Sequence, residues 1–205
     1  MACIIFGAGS YYGMERRPEP GDYIIAADGG WQYCKQEGIV PDLLLGDFDS
    51  LAVVPDFAHI HRVPVEKDDS DMMLAIKDGL AHGQREFHLY GGMGGARSDH
   101  TLANMQSLLY LTCHGARGWL YGDRERYTVI RDGSSITFPA KEQGIMSVFC
   151  MGADAEGVSI TGAQYPLSDA ALSAEFPLGV SNHFIGNPVT VSVRSGSLLI
   201  GLLDK

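Results

Sequence analysis

Aspartates stand where short apolar runs end in this chain: Asp28 in Ala27-Asp28-Gly29-Gly30, Asp47 and Asp49 in Gly46-Asp47-Phe48-Asp49-Ser50, Asp71 in Lys67-Asp68-Asp69-Ser70-Asp71, and Asp99 in Arg97-Ser98-Asp99-His100. Carboxylates gathered at strand ends repel one another and raise each other's pKa values unless a cation sits among them. A hard divalent ion, Mg²⁺ foremost, accepts oxygen ligands and brings phosphate oxygens into the same site. The pattern points to metal-assisted phosphate chemistry.

Each motif also has a plainer reading. On an extended backbone, Asp47 and Asp49 share one face and Phe48 takes the other, which makes a metal cradle with a core anchor. Alone, the same residues are an acidic turn after a buried strand. Asp68 and Asp69 suit a helix start, where carboxylates interact favourably with the dipole. Asp71 precedes an apolar stripe and is placed to reach the cleft, with Lys67 available to offset phosphate charge.

The segment Gly91-Gly92-Met93-Gly94-Gly95-Ala96-Arg97-Ser98-Asp99-His100 lies between a strand pattern and a helix pattern. Glycines there allow positive φ and close approach of backbone N–H groups to an anion. It is neither a Walker loop nor a dinucleotide fingerprint. Arg97 offers a bidentate fork to phosphate, or else pairs with Asp99 and only shapes the loop. His100 is a structural hydrogen-bonding group or a ligand contact. Gly7-Ala8-Gly9 is a tight loop or a phosphate contact. In Gly179-Val180-Ser181-Asn182-His183-Phe184, Ser181 and Asn182 suit the edge of a polar heterocycle and Phe184 its face. Taken alone, that segment is more simply a capped turn with a core phenylalanine.

The elements that position these residues fall into two patterns. Strand-like runs over 2–6, 23–26, 43–45, 87–90 and 118–121 alternate with helical spacing over 70–81 and 101–111, which predicts a mainly parallel α/β sheet. Ser70 or Asp71 caps the first helix. In such sheets ligands bind beyond the carboxyl ends of the strands, where the aspartate motifs fall. After about residue 121 the pattern becomes short alternating runs over 127–130, 135–138, 146–151, 158–161, 189–193 and 198–202, which predicts a C-terminal all-β sandwich. Ser195-Gly196 reads as a hairpin turn before the last strand. The predicted domains are 1–122 and 123–205.

Composition narrows the partners. The 205 residues carry a formal net charge of -10 without a basic block, which disfavours a grip on nucleic-acid backbone and favours cationic or metal-complexed ligands. Cys3, Cys34, Cys113 and Cys150 lack paired spacing and read as buried thiols. No apolar stretch has the length of a membrane span, and the N-terminal run lacks a secretory pattern, so a reduced cytoplasmic setting is the expectation.

Taken in order, these segments resemble the thiamine pyrophosphokinase family. The resemblance rests on Asp28-Gly29-Gly30, Gly46-Asp47-Phe48-Asp49-Ser50, Lys67-Asp68 with Ser70-Asp71, Arg97 with Asp99-His100 and Asn104, and Ser181-Asn182 with Phe184. Gly162, Tyr165-Pro166-Leu167 and the segment 196–200 extend it over nearly the whole chain. Ser70 stands where threonine is usual, and Ala96 where glycine is common. The resemblance implies an ATP- and Mg²⁺-binding catalytic α/β domain, a thiamine-binding and dimerising β-sandwich, and a homodimer with active sites where subunits meet. It implies transfer of the terminal diphosphate of ATP to the hydroxyl of thiamine, yielding thiamine diphosphate and AMP. By the same token Asp47, Asp49 and Asp71 hold the metal, while Asp28, Lys67, Arg97 and His100 contact ATP. Asp99 belongs to the catalytic group, and Ser181, Asn182 and Phe184 bind thiamine. A metal-dependent phosphohydrolase and a nucleotide or thiamine sensor are the rival readings.

Overall fold

The computed structural model describes residues 1–48, 57, 59–62 and 68–204, and the chain divides into two compact units, Met1–Asp123 and Arg124–Lys205. Asp49 and Lys67 lie outside the described residues.

The first unit runs β1 (Cys3–Phe6), β2 (Tyr23–Ala27), α1 (Trp31–Glu37), β3 (Leu43–Gly46), β4 (Ile60–Arg62), α2 (Asp71–Ala81), β5 (Glu86–Tyr90), α3 (Ser98–Cys113) and β6 (Arg117–Tyr121). Its strands lie in the order β6-β5-β1-β2-β3-β4, with parallel pairing throughout. Cys3 through Phe6 and Phe87 through Tyr90 are all buried, as expected of central strands covered on both faces. The chain builds outward from β1 through β4, then returns so that β5 lies on the other side of β1. That reversal opens a crevice at the carboxyl ends of β1 and β5.

Local chemistry places the helices. Ser70 caps α2, its Oγ accepting the Met73 N–H at 3.2 Å, and Met72, Ala75, Ile76 and Gly79 face the sheet. Gly79 lets the helix close on the sheet, since a methyl there would lie 2.7 Å from the Phe87 ring and 2.8 Å from Cys3 Sγ. Helix α3 begins at Ser98, three residues before the predicted start, so Asp99 and His100 fall in its first turn. Helix α1 and β4 were not evident from periodicity; both are short, and β4 exposes His61 and Arg62.

Asp22 anchors the entry to the sheet. Its carboxylate accepts from the Ala2 N–H at 2.8 Å, the Glu19 N–H at 2.9 Å and Arg16 Nη1 at 2.7 Å, and its side chain is 1% exposed. Burial alone would raise the carboxyl, but Arg16 and the two N–H donors override it and hold the pKa at about 2. The unfolded chain therefore binds the extra proton first, so this contribution is complete above about pH 4 and disappears as pH falls towards 2. Its size is about 2 kcal/mol. Urea unfolding at pH 5 and pH 3 should show a stability loss about 1 kcal/mol smaller in Asp22→Asn than in the native chain, because about half of the contribution survives at pH 3; equal losses would refute the assignment.

The second unit contains β7 (Glu125–Arg131), β8 (Ser135–Phe138), β9 (Ile145–Cys150), β10 (Ala155–Thr161), β11 (Leu167–Leu172), β12 (Gly179–His183), β13 (Val189–Ser192) and β14 (Ser197–Leu203). They form two antiparallel four-stranded layers, β12-β9-β14-β7 and β11-β10-β13-β8. Val148, Leu198 and Ile200 of the first layer and Val158, Val189 and Val191 of the second are buried, which gives the sandwich its core. Strands β11 and β12 escaped the sequence reading because they are largely polar and exposed, so their pairing, not an apolar alternation, defines them.

Two expectations are corrected. Ser195-Gly196 is not a hairpin turn: β13 pairs with β8 and β10, whereas β14 pairs with β7 and β9, so the connection passes between layers. Gly196 is needed there for φ +96° and close approach to Ala155. Nor are the cysteines uniformly buried. Cys3 and Cys34 are, but Cys113 is exposed at the end of α3 and Cys150 is intermediate. Among the described residues, no helix is long and apolar enough to cross a membrane.

Candidate functional site at the carboxyl edge of the parallel sheet

The crevice at the β1/β5 reversal is a cavity of about 640 Å³, within the range that holds a nucleotide-sized ligand. Asp28, Asp71, Arg97 and His100 all line it, so three segments distant in sequence meet at one place. Asn104 lines it too, 5% exposed, with Nδ2 donating to the Gly92 carbonyl at 2.6 Å.

Two glycine-bearing loops form the adjoining walls. The segment after β1 is zipped to the segment after β5 by three backbone bonds: Gly7 N–H to the Tyr90 carbonyl (2.8 Å), Gly9 N–H to Gly91 (2.7 Å) and Ser10 N–H to Met93 (3.1 Å). A methyl at Gly9 would sit 2.7 Å from the Gly91 oxygen, and one at Gly91 would collide with the Gly7 carbonyl. Gly7-Ala8-Gly9 is thus a tight loop by steric necessity and also a wall of the cavity. Tyr33, which belongs to no recognisable motif, donates its hydroxyl to the Gly9 carbonyl at 2.6 Å and lines the same cavity.

Asp28 occupies a one-turn 3-10 segment after β2, at φ +48°, a conformation that aspartate tolerates better than bulkier residues. Such strain at a cleft residue is consistent with a functional constraint. Gly46 packs against it: a methyl there would lie 3.1 Å from Asp28 Cα. Asp47 follows directly, at the end of β3. The expected extended backbone does not continue, because Phe48 adopts φ +59°. Its ring is nevertheless 3% exposed and joins the cluster of Phe6, Leu44 and Tyr90, so the core anchor exists while the alternation does not.

Asp71 opens α2 directly after its cap. Asp69 instead pairs with Lys77 at 2.6 Å on the surface, the charged helix start foreseen for it. Arg97 forks onto Asp99, with Nε to Oδ1 at 2.9 Å and Nη2 to Oδ2 at 2.7 Å, both side chains being exposed. That pair holds the Asp99 carboxyl at about 2, so Asp99 is a poor proton acceptor near neutral pH.

The donors suit Mg²⁺ because they are hard oxygens: Asp28 and Asp71 on one cavity, Asp47 one residue beyond the glycine packed on Asp28. Among the described residues, no three carboxylate, imidazole or thiol groups converge to hold a metal by themselves.

In the second unit, Asn182 is 5% exposed and brackets Tyr165, accepting its N–H at 2.9 Å and donating to its carbonyl at 2.7 Å. Phe184 is 4% exposed, and Lys141 Nζ lies 5.8 Å from its ring centroid. Ser181 is exposed at φ +61°, its N–H donated to Ser147 Oγ at 3.1 Å. Of the three, Ser181 is the one open to a ligand.

A parallel α/β unit with acidic residues, an arginine and glycine loops at its switch point, followed by a β-sandwich, defines a phosphate-handling protein of two units. Comparison makes this particular. Residues 18–119 match the family model described as thiamin pyrophosphokinase, catalytic domain, and residues 134–198 match that described as thiamin pyrophosphokinase, vitamin B1 binding domain. A thiamine pyrophosphokinase of Bacillus subtilis is 25% identical over 182 residues, 86% of this chain and 85% of its own length. The crystal structure of thiamine pyrophosphokinase from Bacillus subtilis superposes with a TM-score of 0.87 at 23% identity, covering 99% of each chain. That from Geobacillus thermodenitrificans gives 0.87 at 23%, covering 100% of this chain and 98% of its own. The chain belongs to the thiamine pyrophosphokinase family.

Proposed function

We propose that this protein transfers the terminal diphosphate of ATP to the hydroxyl of thiamine, producing thiamine diphosphate and AMP. The observation that carries the reading is the convergence of Asp28, Asp71, Arg97 and His100 on one cavity in a chain matching both family domains. Diphosphoryl transfer asks a protein chiefly for positioning and charge stabilisation. Asp47, Asp49 and Asp71 would hold Mg²⁺, which when bound neutralises charge developing on the phosphate oxygens. Asp28, Lys67, Arg97 and His100 would orient ATP, and Arg97 must exchange part of its fork on Asp99 for phosphate oxygens. Asp99 would keep the remainder of the fork and so position Arg97.

Ser181 would contact thiamine directly. Asn182 and Phe184 would act from beneath, the first by holding the Tyr165 turn and the second as packed support. The net charge of -10 favours approach of a cationic thiazolium. A homodimer with sites at the subunit junction, working in the cytoplasm, completes the proposal.

The test is a product assay with purified protein, thiamine, ATP and Mg²⁺. Equal thiamine diphosphate and AMP are expected. ADP with thiamine monophosphate would establish single-phosphoryl transfer instead, and nucleotide hydrolysis indifferent to thiamine would overturn the reading in favour of a hydrolase.

A further inference from the structure

The glycine loops look like an anion cradle, yet the loop after β1 spends most of its backbone donors within the fold. The N–H groups of Gly7, Gly9 and Ser10 are accepted by carbonyls across the zipper, and that of Gly94 by Thr101 Oγ1 at 3.2 Å. Arg97 is engaged by Asp99. A polyphosphate entering the cavity needs further donors, since every buried phosphoryl oxygen left without a partner carries a desolvation cost.

Two hydroxyls stand at that position. A methyl built on Gly94 would lie 2.5 Å from Tyr12 Oη and 3.2 Å from Ser10 Oγ, and one on Gly95 would lie 3.7 Å from Ser10 Oγ. Both hydroxyls therefore converge on Gly94, at φ +71°, and Ser10 Oγ also approaches Gly95, at φ +81°; both glycines line the cavity, as Ser10 itself does. Tyr12 is 49% exposed, and its hydroxyl lies beside Gly94 of the cavity wall. The neighbouring Tyr11 is directed elsewhere: its hydroxyl donates to Glu37 at 2.8 Å and its ring stacks on Tyr33 at 4.8 Å. The Tyr11 ring, packed between Tyr33 and Phe6, holds the strap from which Tyr12 extends.

We propose that Ser10 and Tyr12 donate their hydroxyl hydrogens to polyphosphate oxygens of the nucleotide, so that the segment after β1 forms a clamp facing the Arg97 loop. The inference rests on the nucleotide reading above and adds binding residues to it.

Calorimetric titrations of ATP, inorganic tripolyphosphate and adenosine into the full-length protein in Mg²⁺ buffer test it. Tyr12→Phe, which removes only the hydroxyl, is expected to weaken both ATP and tripolyphosphate about 5- to 10-fold, and Ser10→Ala with Tyr12→Phe about 50-fold. Tyr11→Phe removes an equivalent hydroxyl from the same strap and should leave both affinities unchanged, separating ligand contact from loop support. A Tyr12→Phe loss for ATP and adenosine but not for tripolyphosphate would place the ring on the nucleoside and overturn the proposal. So would equal losses in Tyr11→Phe and Tyr12→Phe, or no loss in the double variant. A native chain that fails to bind ATP would instead overturn the nucleotide reading itself, and this inference with it.

Discussion

An Asp71→Asn protein is expected to fold as the native chain does and to form product about 10³-fold more slowly, a loss of about 4 kcal/mol in transition-state stabilisation. Two effects of the substitution compete in principle, and their magnitudes separate them. Asp71 is the first residue of α2, so neutralising it forfeits a favourable interaction with the helix dipole worth about 0.3 to 1 kcal/mol. The Ser70 cap is untouched, and asparagine has nearly the same shape. The folding effect is therefore a shift of a few degrees in Tm.

On the cavity the same change removes one negative charge from the set proposed to hold Mg²⁺, and charge stabilisation is the main work of diphosphoryl transfer. Initial rates at saturating ATP and thiamine, with thermal unfolding of the same preparation, decide the matter. Activity within tenfold of the native protein would remove Asp71 from the metal site and leave it a helix-start residue.

Gly30→Ala is expected to cost about 3 kcal/mol or more, lowering Tm by about 10 °C and disabling the site. The sign is not obvious from the backbone. Gly30 has φ -57° and ψ -21°, which alanine adopts readily. Packing decides against it, because a methyl at Gly30 would overlap the carbonyl oxygen of Phe6. Phe6 cannot retreat cheaply: it is fully buried at the end of the central strand, in register with Ala26 on one side and Tyr90 on the other. The turn carrying Asp28 must move instead, and the cavity with it.

Gly38→Ala is the comparison. Gly38 ends α1 at φ +69° with open space around it, so its cost is the left-handed conformation alone, about 1 kcal/mol. Urea unfolding of both variants should order them Gly30→Ala well below Gly38→Ala; the reverse order would refute the close approach.

Ala27-Asp28-Gly29-Gly30 shows how far the motif was legible. Sequence reading singled out Asp28 for chemistry, and Asp28 does line the cavity. The need for Gly30 is a contact with a strand more than twenty residues away, which no local pattern announces. Gly46-Asp47-Phe48 is similar: burial of Phe48 follows from its type, whereas its left-handed backbone comes from the turn leaving β3. Asn182 was legible as a polar group beside an aromatic residue, but its bracket on Tyr165 belongs to β12 meeting a turn seventeen residues earlier.

The sequence by itself determined the class of each half, the start of α2 to within two residues, five of the six strands of the parallel sheet from their apolar runs, and the residue types able to handle phosphate and metal. Periodicity, capping and charge act over a few neighbours, so they are written where they operate. Tertiary structure alone decided that β5 returns beside β1, that the loops after those strands zip together, and that β13 and β14 part into different layers. Those outcomes are settled by which buried faces and backbone donors find partners across long separations. The cavity exists because that competition brings Asp28, Asp71 and Arg97 to one edge of one sheet.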